Sequence, residues 1–93
     1  MNSTQTHPRF EWEPTARDRY TRMIEKIPIF HREIAKTVVD KKAEINARER
    51  GASQVEESDI VHAFLTEVPA AFFSLMARLL DEVGFDHRKY QSK

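Results

Sequence analysis

"MIEKIPIFHREIAKTVV", residues 23–39, sets Pro28 between two stretches that otherwise carry helical periodicity. A proline inside a helix loses a backbone hydrogen bond and collides with the preceding turn, yet it suits the first turn of a new helix. The stretch therefore reads as a joint: Ile27 ends one helix and Pro28 opens the next. Upstream, "EPTARDRYTRMIEK" supplies a start at Pro14 and Thr15, with Ala16, Tyr20, Met23 and Ile24 on one face, which predicts helix 1 near 15–26. Downstream, the spacing predicts a helix over about 28–50, long for so small a chain. Ile34, Val38 and Ile45 form one stripe on it, Ala35, Val39 and Ala43 lie beside them, and Gly51 is a left-handed stop.

The remainder follows the same grammar. Residues 53–55 read as a short extended piece, and Glu56 to Asp59 as an acidic helix start that meets the positive end of the helix dipole. Helix 3 is expected over 56–67, burying Ile60, Val61, Phe64 and Leu65. Pro69 opens helix 4, "PAAFFSLMARLLDEV", over 69–83, which Gly84 closes. The expected fold is all-α: a small bundle of four helices around one long central helix. Residues 1–13 read as an N-terminal arm, 14–86 as one helical domain and 87–93 as a polar tail.

Composition limits the function classes. In 93 residues, fifteen Lys and Arg balance fifteen Asp and Glu, so no net field draws the chain to nucleic acid or to an anionic membrane. Residues 15–50 hold ten basic and six acidic side chains, whereas 53–86 hold Arg78 and seven acidic ones. Without cysteine there is no thiolate metal site, no cluster ligand and no cysteine nucleophile. His7, His31, His62 and His87 lie too far apart for a zinc spacing, and Gly51 and Gly84 form no phosphate loop. No apolar run has the length of a membrane span, and the N-terminus lacks a signal-peptide core, which makes a cytoplasmic location the expectation, peripheral to a membrane at most through a partner. The reading is a non-catalytic protein with no metal and no cofactor.

Helix 4 carries the interaction signal. Its apolar residues occupy nearly the whole circumference, and a helix apolar all round must be covered all round. Phe72, Phe73, Met76 and Leu80 are the expected anchors for a protein partner, with self-association through 69–83 as an alternative. His31 and Arg32 are added as partner-binding candidates. Arg32 sits in the first turn of helix 2, against the dipole, and so calls for an acidic neighbour: Glu25, the start of helix 3, a partner enzyme or a carboxylate-bearing tetrapyrrole.

Trp12, Pro14, Ala16, the junction Ile27, Pro28, Phe30, Arg32, and then Glu44, Ala47 and Gly51 form an ordered motif. It resembles the small C-terminal domain of the B subunit of light-independent protochlorophyllide reductase, the PCP reductase family, over residues 12–66. Asn46 departs from the aromatic common there, and residues 67–93 extend beyond the family domain. The resemblance implies an accessory protein of chlorophyll or bacteriochlorophyll biosynthesis that docks on a tetrapyrrole-pathway enzyme. Candidate partners are the oxygen-dependent magnesium-protoporphyrin monomethyl ester cyclase, as its auxiliary subunit, and protochlorophyllide reductase. It also suggests Trp12 and Phe30 as the filling of the corner between helices 1 and 2. Two alternatives stand beside it. Direct tetrapyrrole binding would use Met76, His31 or His62 as a ligand. A histone-like DNA-binding protein would share the grammar of "ARERGASQVEESDIVHAF" but lacks the basic surplus that phosphate contacts demand.

Overall fold

A computed structural model describes residues 10–90. In chain order they form strand β1 (Glu11–Trp12), helix α1 (Pro14–Lys26), helix α2 (Ile29–Glu49), strand β2 (Gln54–Val55), helix α3 (Glu57–Glu67), a 3-10 turn at Ala70–Phe72, helix α4 (Phe73–Glu82) and a 3-10 turn at His87–Tyr90. The result is a small all-α bundle about the long α2, with a two-residue parallel bridge pairing Glu11 with Gln54 and Trp12 with Val55.

Local chemistry sets each boundary. Pro14 occupies the first turn of α1, and the Glu13 carboxylate accepts the Ala16 backbone N–H at 2.7 Å. Ile27 is extended and ends α1, and Pro28 caps α2. Gly51 and Gly84 have φ of 75° and 96°, the left-handed region where a side chain is strained. Both close Schellman motifs: Gly51 N–H reaches the Arg48 carbonyl and Ala52 N–H the Ala47 carbonyl, and Gly84 and Phe85 repeat the pattern onto Asp81 and Leu80.

The core joins all four helices. Ala16, Tyr20, Met23 and Ile24 of α1 meet Val39, Ala43 and Ala47 of α2, then Ile60, Val61, Ala63 and Phe64 of α3, and Met76, Leu79, Leu80 and Val83 from α4 and its cap. The alanines of α2 let α3 approach closely, so Phe64 fills the centre at 1 % exposure. The α2–α3 corner is locked by polar bonds. Asp59, itself buried, accepts two bonds from Arg50 at 2.9 and 2.7 Å and one from the Glu56 N–H at 2.9 Å. Asn46 adds a bond from Nδ2 to the Asp59 carbonyl at 3.0 Å. The amide thereby ties two helices together.

Several expectations are corrected. Glu11 and Trp12, assigned to the arm, form a strand because Val55 offers a partner for the backbone, and the Glu13 N–H extends that ladder to the Val55 carbonyl at 2.8 Å. Residues 1–9 of the expected arm and 91–93 of the expected tail lie outside the described residues. The tail residues 87–90 form a turn in which His87 is buried, its Nε2 3.3 Å from an Asp81 oxygen. Helix 4 starts as a 3-10 turn and is α-helical only from Phe73. Trp12 does not fill a corner with Phe30. It stacks on Tyr20 with ring centroids 5.2 Å apart and donates Nε1–H to Glu44 at 3.1 Å, while Phe30 points to solvent at 87 % exposure.

Candidate functional site

The first half of α2 buries nothing. From Ile29 to Val38 no side chain is buried, and burial begins at Val39. Length explains this. At about 1.5 Å per residue α2 is roughly 30 Å long, while α3 spans only about half of that. The α2 segment beyond the reach of α3 has no helix laid along it, and it still carries Ile29, Phe30, Ile34 and Val38. Ile34 and Val38, expected on a stripe beside the buried residues, are exposed, Ile34 at 68 %.

Across from this segment the chain turns from α3 into α4 through Val68 and Pro69. Between them runs an apolar groove of about 430 Å³, floored by Ile27, Ala35 and Met76 and walled by Ile34, Val38 and Phe72. Phe30 lies one turn before Ile34 on the same helical row and extends the apolar strip beyond the groove. Phe73 is exposed next to Phe72. His31 bridges the walls, its ring 5.9 Å from that of Phe72. Among the lining residues Glu67 is the only carboxylate, so the groove offers almost nothing but hydrocarbon.

The expected site residues divide accordingly. His31 and Phe72 come together in the groove, while Phe73 is exposed beside Phe72 in the chain and is not among the lining residues. Met76 is buried and contributes only to the floor, and Leu80 is fully buried in the core, so neither can serve as an anchor. The exposed apolar surface therefore does not belong to helix 4 alone. Ile34 and Val38 supply its α2 wall, with Phe30 one turn before them, and the signal for them was the disparity between an expected helix of 28–50 and one of 56–67 to cover it.

Arg32 is also corrected. Among the described residues its guanidinium meets no carboxylate. Instead Nε and Nη2 donate to the Ile27 carbonyl at 3.2 and 3.1 Å, and Nη2 to the Glu25 carbonyl at 2.9 Å. These carbonyls belong to the last turn and cap of α1, where a cation suits the dipole. Arg32 thus holds the joint at Pro28 from the far side. Arg50, not Arg32, meets the acidic start of α3.

Of the possible tetrapyrrole ligands, His31 and Met76 lie in the groove, whereas His62 faces Tyr90 with ring centroids 5.6 Å apart. Among the described residues no three His, Asp or Glu side chains are placed to hold a metal ion. No single helix among them is long and apolar enough to cross a membrane. No family model, no curated protein and no solved structure matches the chain.

Proposed function

We propose that this protein is a non-catalytic accessory protein that docks on a larger enzyme through the groove between the first half of α2 and the α3–α4 turn. One observation carries the reading. Six large apolar side chains, Ile29, Phe30, Ile34, Val38, Phe72 and Phe73, are exposed, and three of them, Ile34, Val38 and Phe72, line the groove. Exposed apolar clefts of this kind mark interaction sites more often than scattered single residues do. A protein helix presenting apolar residues at i, i+4 and i+7 has the shape to lie in such a groove.

The ordered motif from Trp12 to Gly51 supports placing the partner in chlorophyll or bacteriochlorophyll biosynthesis, as a subunit of the oxygen-dependent cyclase or a companion of protochlorophyllide reductase. The test is calorimetric titration of each purified enzyme with wild-type protein and with Ile34→Asp. Binding by the wild type and its loss in a folded Ile34→Asp variant is the expected result. No binding to either enzyme overturns the pathway assignment, and undiminished binding by the variant overturns the groove. A second reading, direct tetrapyrrole binding, draws on His31 and Met76 sharing the groove. It predicts a shift of the porphyrin absorbance band on titration that His31→Ala removes.

A further inference from the structure

A second concavity lies apart from the groove and shares none of its lining residues. It opens between β1, α1 and α2 and encloses about 590 Å³, within the usual range of small-ligand sites. We propose that this cleft binds an alkylguanidinium, the cationic group of an arginine side chain or of a small guanidino compound.

Three observations support the assignment. The floor is aromatic and held rigid: Trp12 stacks on Tyr20, and Tyr20 in turn meets Phe64 of the core edge-on, with centroids 6.0 Å apart. Polar atoms of that floor are already committed. The Trp12 Nε1–H is given to one Glu44 oxygen, and the Tyr20 hydroxyl is given to Asp40. Burial, the bond to Asp40 and the charge of Asp40, in that order, push the Tyr20 hydroxyl far above its ordinary range, so it stays a donor and never competes as an anion. What the floor presents to a ligand is π surface, which attracts cations.

The charge of the lining has the matching sign. Glu11, Glu25, Asp40 and Glu44 outnumber Arg17 and Lys36, in a molecule whose formal net charge is zero. Lys36 is already bonded to Asp40 at 2.8 Å. Among the described residues, no other donor meets the second oxygen of Glu44 or the Glu25 carboxylate, and a guanidinium can satisfy a carboxylate while lying flat on an indole. Finally, a residue of the cleft wall already pairs with a guanidinium, from Arg48, which is not among the residues lining the cleft. Phe10, on its wall, carries the Arg48 guanidinium 5.0 Å from its ring centroid.

Trp12 is the single tryptophan of the chain, so its fluorescence reports on the cleft alone. The full chain is titrated with n-butylguanidinium and with n-butylurea, its neutral isostere. We expect a saturable change with the cation in the low-millimolar range, a response to the urea weaker by about tenfold, and weakening of the cation by Glu44→Gln, whose amide oxygen can still hold Trp12. Ile34→Asp, in the groove, leaves the titration unchanged, which separates this proposal from the docking reading. Should Glu44→Gln fail to fold, Glu25→Gln takes its place. N-acetylarginine amide forms a further arm: tighter binding than butylguanidinium assigns the site to an arginine side chain, and weaker binding to a free guanidino compound. Equal responses to guanidinium and urea, a change that never saturates, or indifference to the carboxylate variants would each overturn the assignment.

Discussion

Between Val39 and Ala47, α2 buries every fourth side chain, and between Ile29 and Val38 it buries none. The two halves belong to one uninterrupted helix and carry comparable apolar content. The difference is what lies alongside. Small residues, Ala43 and Ala47, line the half that α3 covers, and they pack there with Ile60 and Phe64. Large ones, Ile29, Phe30 and Ile34, line the half that nothing in the described residues covers. Burial therefore follows the geometry of the neighbour rather than hydrophobicity, and bulky apolar residues stay exposed where α3 does not reach. The contrast can be broken by showing that the bare half stabilises the fold, or sharpened by showing that it does not.

The largest effect is expected in the covered half. Phe64→Ala empties the centre of the α2–α3 contact, where transfer and cavity terms add, and should destabilise the protein by about 3–5 kcal/mol in denaturant unfolding. Loss of less than about 1 kcal/mol would mean that this contact is not the core. Next comes the corner that follows it. Asp59→Ala removes three charge-assisted bonds at a buried position and with them the cap of α3, and should cost about 2 kcal/mol. Asp59→Asn, which keeps one acceptor oxygen, should retain part of that stability in the same measurement.

At the other end of α2, Arg32 belongs to the bare half yet serves the fold. Its side chain binds the carbonyls that close α1, so Arg32→Ala should cost about 1 kcal/mol, with lost protection of α1 amides from hydrogen exchange as the local signature. If Arg32 instead served a partner, the free protein would not register its loss.

The joints of the fold were open to sequence reasoning because each is written in local chemistry. Pro28 cannot continue α1, Gly51 and Gly84 alone accept left-handed backbone cheaply, and the acids from Glu56 to Asp59 suit a helix start. The bridge between Trp12 and Val55 was hidden because pairing two residues on each side leaves no alternation to see. The site was half open. Phe72 and Phe73 were expected from the apolar surplus around Pro69 and His31 from its place after the Pro28 joint, but Met76 and Leu80 are claimed by the core, and Ile34 and Val38 had the spacing of buried residues. A periodic stripe says which side of a helix is apolar, and it does not say where along the helix the neighbour ends. That second fact lies in the relative lengths of α2 and α3.

The smallest expected effect on stability is also the sharpest test of the contrast. Phe30→Ser and Ile34→Asp change large apolar side chains at 87 % and 68 % exposure, so each should alter folding free energy by no more than about 0.5 kcal/mol. A residue kept for the fold cannot be this indifferent, and a residue kept for a partner must be. Unfolding the two variants beside the wild type, with sedimentation of all three at several concentrations, separates the possible occupants. Unchanged stability with monomers throughout points to docking on another protein. A wild type that self-associates while the variants do not assigns the strip to a second copy of this chain. A loss of about 2 kcal/mol or more in a monomer would mean that the first half of α2 is packed after all, and the groove would cease to be a surface.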